Sequence, residues 1–210
     1  MISFKHNFLY VHIPKTAGNA VQNILRHYSE DRIVCVAPHQ DGVERFEVRN
    51  DRFKIEKHST LADYRRELGD AVLGRLFKFC CVRNPWERAI SFYFSPHRGV
   101  TQWDRRAFLQ LIPTIQPSAS YVALEPVGRG GKSVFANVDF VIRFERLDED
   151  FREVCRRIGI PPQELPVRNK SSRRHFSEYY DEELVELVRQ RFAEEIDHFG
   201  YRFEARSVAA

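Results

Sequence analysis

The sequence predicts an α/β domain with a central, mostly parallel sheet flanked by helices. Three observations carry that expectation. Short apolar runs alternate with helical patterns along the chain, as parallel sheets require. One run, Leu76 to Val82 (LFKFCCV), is apolar almost throughout, as in a central strand covered on both faces. No internal repeat or linker interrupts the alternation, so the 210 residues read as a single domain.

Element by element, Phe8 to Ile13 (FLYVHI) is a strand stopped at Pro14. Asn19 is placed to cap a helix carrying Val21, Ile24 and Leu25 on one side. Ile33 to Val36 is a second short strand, and Asp41 to Lys57 is charged and irregular, with room for a hairpin. Thr60 caps a helix through about Leu68, with Asp63 at the third helical position and Gly69 ending it. After the Leu76 to Val82 strand, Asn84-Pro85-Trp86-Glu87 reads as a helix start, with Asn as cap, Pro at the first position and Glu closing a capping box. That helix runs through Ser91 to about Phe94. Arg105 to Leu111 is helical, and Pro113 to Ser133 is a Pro- and Gly-bearing excursion. Val138 to Phe144 returns as a strand, Leu147 to Ile158 as a helix ended by Gly159, and Asp181 to Phe199 as one amphipathic helix stopped by Gly200.

Composition narrows the function classes. With 43% hydrophobic residues and 17 Phe the chain can fill a sizeable core, which excludes disorder and collagen-like repeats. No apolar run approaches the ~20 residues of a membrane span, and the opening MISFKHNFLYVHI has no signal-peptide pattern. Adjacent Cys80 and Cys81 in an apolar run, with Cys35 and Cys155 far off, read as reduced cysteines without metal spacing. The net charge of +4 is interleaved with acidic residues, which argues against nucleic acid. The densest basic stretch is Arg168 to His175 (RNKSSRRH), which reads either as a solvated loop or as a phosphate contact.

The chemistry starts where the first strand feeds the first helix. Lys15, Thr16, Ala17, Gly18 and Asn19 fill that junction, and free N–H groups at a helix start attract anions. Lys15 adds a point charge, Thr16 a hydroxyl, and Gly18 close backbone approach. The pattern is not a Walker loop, because the lysine precedes the glycine. Gly131-Lys132-Ser133 fails as well, since Pro126 stands where the first glycine belongs.

Tyr10 to Gly18 (YVHIPKTAG) resembles the 5′-phosphosulfate loop of the sulfotransferases related to the heparan and dermatan sulfate 2-O-enzymes. Cys81 to Tyr93 (CVRNPWERAISFY) resembles their 3′-phosphate segment. Phe140 to Phe151, Asn169-Lys170-Ser171 and the tail from Tyr180 to Tyr201 are similar to further stretches of that family, in the same order. The resemblance implies a P-loop-NTPase-like three-layer fold and 3′-phosphoadenosine-5′-phosphosulfate (PAPS) as sulfuryl donor, with adenosine 3′,5′-bisphosphate as product and no metal. It places Lys15 at the bridging oxygen, the amides of Thr16 to Asn19 on the 5′-phosphate, and Arg83 with Ser91 on the 3′-phosphate. Where the family often has Thr or Ser after the glycine, this chain has Asn19 and Ala20.

A base is needed to take the acceptor's proton, and histidine titrates in the right range. Among eight histidines, His58 has the best setting. It precedes the helix start at Ser59-Thr60, whose dipole favours neutral imidazole, and Lys57 to Leu61 resembles a His-bearing segment of the family. His39 is the runner-up, and His12 reads as a strand-end residue. Residues 97–135 are the expected acceptor-side insertion or lid, with Arg129 and Lys132 facing an anionic acceptor and Gln116, Ser118 and Tyr121 facing sugar hydroxyls. The expected activity is sulfuryl transfer to a hydroxyl of a carbohydrate or small natural product, in a cytoplasmic protein compatible with a homo-oligomer. A P-loop-like nucleotide kinase and a catalytically silent nucleotide-binding protein are the alternatives.

Overall fold

A computed structural model describes residues 1–40, 43–125, 133–165 and 173–204, without the side chains of 35–40, 43–45 and 97. In chain order the strands are β1 (Ile2–Ser3), β2 (Phe8–Val11), β3 (Arg32–Gln40), β4 (Val43–Arg49), β5 (Phe77–Val82) and β6 (Phe140–Arg143). The helices are α1 (Gly18–Leu25), α2 (Leu61–Leu68), α3 (Asp70–Leu73), α4 (Pro85–Tyr93), α5 (Arg105–Leu111), α6 (Ser118–Val122), α7 (Leu147–Arg157), α8 (Glu182–Arg191) and α9 (Ala193–Phe199). Two compact units emerge, one from Met1–Val82 with Ala119–Asn169, the other from Arg83–Ser118 with Lys170–Ala210.

The first unit holds the main sheet, in the order β1-β2-β5-β6. β2, β5 and β6 run parallel, with Val11 opposite Cys80 and Cys81 opposite Ile142, and β1 is antiparallel to β2. Alternation along the strands divides the sheet's faces. Phe8, Tyr10, Phe79, Cys81 and Ile142 share one buried cluster with Ala20, Val21 and Leu25 of α1 and Phe151, Val154 and Cys155 of α7. Leu9, Val11 and Cys80 point the other way and are equally buried. The near-continuous apolarity of β5 follows from this, because both of its faces lie in core. Cys80 and Cys81 are buried on β5, as its apolar run predicts, and Cys155 is buried as well.

Two expectations needed correction here. The strand at Ile33 to Val36 is longer and lies outside the main sheet: β3 pairs antiparallel with β4, Ile33 opposite Val48, in a separate two-stranded ribbon. A short connection allows antiparallel return, whereas a parallel neighbour would need a crossover. The α1 helix also starts before Asn19. Its N-cap is Ala17 in the left-handed conformation (φ 71°, ψ 14°), and Asn19 lies within the first turn. By contrast, α2 begins as its sequence demands, with Thr60 accepting from the Asp63 N–H and the Asp63 carboxylate taking the Thr60 N–H.

The second unit is built on α4 and α8. Trp86 Nε1 donates to the Val185 carbonyl at 3.0 Å, and the Tyr180 hydroxyl donates to the Trp86 carbonyl at 2.7 Å. Tyr93, Trp103 and Phe108 pack ring to ring beside them. The single helix expected from Asp181 to Phe199 is broken at Phe192 (φ −117°, ψ 28°), dividing it into α8 and α9. Beyond the break Glu195 lies inward, 3.7 Å from Arg88, with both side chains 1% exposed.

Candidate functional site

In the first unit the site grows from the β2–α1 junction. The loop Pro14 to Ala17 leaves the carboxyl end of β2 and delivers the chain into α1. Lys15 and Ala17 both have positive φ, 69° and 71°, which non-glycine residues adopt only where surroundings enforce it. Left-handed Ala17 followed by helical Gly18 turns successive N–H groups toward one side, an arrangement that concentrates positive potential for an anion. The Ala20 N–H is taken by the Ala17 carbonyl at 2.9 Å, whereas the N–H groups of Gly18 and Asn19 stand at the helix start, where no carbonyl of a preceding turn is in place to accept them.

The loop is locked from behind. Thr16 is fully buried and its hydroxyl donates to the Ile13 carbonyl at 2.8 Å, so what it can offer a ligand is its main-chain N–H. Its carbonyl accepts the thiol hydrogen of Cys81, tying the loop to β5. Gly18 is constrained for a steric reason: a Cβ there would sit 1.9 Å from Cδ2 and Nε2 of His12, so any side chain must displace that ring.

His58 joins this loop. Its Nδ1 lies 3.1 Å from the His12 carbonyl, and the two imidazole centroids are 4.6 Å apart. A carbonyl only accepts, so the bond puts the hydrogen on Nδ1 and leaves Nε2 as the acceptor of neutral imidazole. Partial burial lowers the His58 pKa below its ordinary value and Lys57 adds to this, while the His12 bond and Glu47 pull it back up. The helix start was the expected cause of a neutral His58; loss of water is the leading one found.

In the second unit, Arg83 follows the last residue of β5 and is buried, and its guanidinium meets Glu87 at 2.5 Å. Glu87, expected to close a capping box, is engaged by Arg83, while Asn84 Oδ1 caps α4 through the Trp86 N–H. Ser91 lies four residues beyond Glu87, on the same helical face. Arg173 is the residue that sequence reasoning did not single out. Its pKa is lowered by burial and then by the like charge of Arg83, with Glu87 and Tyr179 opposing, so a second guanidinium lies within the field of the Arg83–Glu87 pair. A pair of forks with that excess of charge suits a bidentate anion such as phosphate. The signals were the Arg83–Glu87 spacing of four and the basic run that contains Arg173.

The sequence-predicted residues Lys15, Thr16, Ala17, Gly18 and Asn19 thus form one loop and helix start in the first unit, with His58 bonded to His12 just ahead of that loop, while Arg83 and Ser91 belong to the second unit. The 128–132 loop with Arg129 and Lys132, and the Asn169 to Ser171 stretch, lie outside the described residues. So does the side chain of His39. Among the described residues no helix is long and apolar enough to cross a membrane.

Comparisons with known proteins identify the family of the chain. An uncharacterized protein of Archaeoglobus fulgidus is 31% identical over 110 residues, covering 50% of this chain and 84% of that relative. No solved structure matches the chain. The model of the Sulfotransferase family matches residues 1–202, spanning the anion loop, the Arg83 segment and the whole sheet. With an anion loop that departs from the Walker order and a match over nearly its full length, the chain belongs to the Sulfotransferase family, transferases that take their sulfuryl group from PAPS.

Proposed function

We propose that this protein transfers a sulfuryl group from PAPS to a hydroxyl of a carbohydrate or small natural product, with His58 as base and Lys15 beside the leaving phosphate. The observation that carries the reading is the hydrogen bond from His58 to His12, because it links a base with a bare Nε2 to the residue whose ring abuts Gly18 of the anion loop. When bound, PAPS supplies an activated sulfuryl group whose departure leaves negative charge on the 5′-phosphate. Lys15 and the main-chain N–H groups of Thr16, Ala17, Gly18 and Asn19 are suited to hold that phosphate and to stabilise the growing charge. Arg83, steadied by Glu87, and Ser91 are suited to the 3′-phosphate, the group that separates PAPS from ATP. His58 takes the acceptor's proton on Nε2 while Nδ1 stays bonded to His12, so the imidazolium forms already hydrogen-bonded.

Calorimetric titration of the protein with adenosine 3′,5′-bisphosphate, with ATP alongside, tests the donor assignment. Tight binding of the bisphosphate and weak binding of ATP is the expected result; preference for ATP would overturn it in favour of a kinase. Lys15→Ala is expected to abolish transfer from PAPS while leaving the thermal unfolding midpoint within a few degrees of the parent. Equal turnover in the two proteins would remove Lys15 from the mechanism.

A further inference from the structure

His12 is more than the end of a strand. The residue is 4% exposed, and its ring sits between Gly18 and His58. On one side it fills the space in which a Gly18 side chain would lie. On the other it meets the His58 ring, centroids 4.6 Å apart and planes inclined by 48°. Tyr10 stacks nearly parallel to it, at 6.1 Å and 18°. The same residue offers its carbonyl to His58 Nδ1.

We infer that His12 is a positioning residue for His58: its ring is a wedge between Gly18 and His58 that sets the plane of the base, and its carbonyl selects the tautomer with a bare Nε2. The inference rests on the reading of His58 as base. A carbonyl alone fixes one atom and leaves the imidazole free to swing about that bond, so the wedge supplies the second constraint. Small displacements of a catalytic group are costly, because the transition state needs reacting atoms aligned within narrow limits.

The polar surroundings fit a steric role. Among the described residues, His12 Nδ1 and the Tyr10 hydroxyl are buried without a partner at hydrogen-bond geometry, and the Gln22 amide beside the ring offsets only part of the effect of burial on His12. Burial, and then the positive potentials of His58, Lys57 and the amino terminus, hold His12 well below the ordinary histidine pKa. The charged groups facing His58 are Lys57, which adds to this, and Glu47, which opposes it. Burial therefore favours the uncharged form of the wedge.

The test is 15N NMR of the histidine-labelled full chain, with the His58 signals assigned by their loss in His58→Asn. In the parent, His58 is expected as the Nδ1–H tautomer, titrating below the ordinary value of about 6.5. In His12→Ala the carbonyl remains and the wedge is lost. The His58 titration should move up toward the ordinary value and its two nitrogens toward a tautomer mixture. Transfer should fall about 10- to 100-fold in kcat, with KM for PAPS changed by less than about twofold. His12→Phe, which restores a flat ring, should recover most of both readouts. Gly18→Ala, which drives a Cβ into the His12 ring, should disturb the His58 signals although it touches no atom of His58, and it serves if His12→Ala does not fold. Unchanged His58 spectra in His12→Ala or Gly18→Ala would overturn the inference. So would a His12→Phe spectrum displaced as far as that of His12→Ala. The NMR readout needs no turnover, so a parent that binds no bisphosphate would sink the donor assignment without deciding this one.

Discussion

His58 Nδ1 bonds to the His12 carbonyl across 3.1 Å, joining the turn before α2 to the residue that follows β2. This ties the proposed base to the β2–α1 loop through main chain, which substitutions cannot remove. The remaining variable is the protonation of Nε2. Because the His58 pKa is lowered, the neutral base persists below the ordinary histidine range. Activity as kcat/KM should therefore hold level from pH 8 down to about 6.5 and fall on an acidic limb below it. His58→Ala should lose about 10²- to 10⁴-fold in kcat while binding adenosine 3′,5′-bisphosphate as the parent does. A pH–rate profile and a titration of the variant check both statements.

Arg83 is held by Glu87 and crowded by Arg173, an arrangement with more positive charge than one carboxylate offsets. Removing the fork should weaken bisphosphate binding more than ATP binding. Losing a charged hydrogen-bonded contact of ~1.5–3 kcal/mol corresponds to about 10- to 150-fold in Kd. Arg83→Lys should recover little, because an ammonium cannot grip a phosphate through two parallel bonds. Calorimetry of Arg83→Ala, Arg83→Lys and Arg173→Ala checks the ranking, and equal Kd values would contradict it.

The pair Arg88–Glu195 is buried at 1% exposure on each side, and Ser118 Oγ donates to the same Glu195 carboxylate at 3.2 Å. Arg88 also donates to the Gln116 carbonyl at 3.0 Å. Deleting one member leaves a buried charge without its counter-ion. Glu195→Ala should cost about 3–5 kcal/mol of stability, measured by urea unfolding, whereas an exposed control such as Glu186→Ala should leave the unfolding midpoint nearly unchanged.

Stability should also fall in acid. His12 and His58 both have folded pKa values below the unfolded value of about 6.5, so below that pH the unfolded chain binds more protons than the native one. The loss can reach about 1.4 kcal/mol per pH unit for each histidine, beginning near pH 6.5. His12→Phe should flatten the curve by removing the more buried of the two. Urea unfolding of parent and variant at pH 7.5, 6.5 and 5.5 checks this, and parallel curves would refute it.

Local rules were legible wherever a residue's own backbone sets the outcome. Thr60 with Asp63 fixed the start of α2, Asn84 with Pro85 the start of α4, and the two-sided apolarity of Phe77 to Val82 its place inside the sheet. The rules failed where a distant partner intervened. Asn19 is a good cap by type, yet Ala17 takes that place in a left-handed conformation within a loop braced by Ile13 and Cys81. The helical periodicity from Asp181 to Phe199 carries no mark of the break at Phe192, beyond which Glu195 meets Arg88.

The sequence by itself determined the alternation of strand and helix, the anion loop after the first strand, the Arg83 segment after the central strand and the candidate base, because each is written in contiguous residues. Tertiary structure alone decided that His58 is tied to His12, that His12 fills the space beside Gly18, and that Arg83, paired with Glu87, feels the like charge of Arg173. Those relationships join residues as far apart as 83 and 173. They depend on where a side chain ends in space, which burial, charge and hydrogen-bond geometry fix only after the chain has folded.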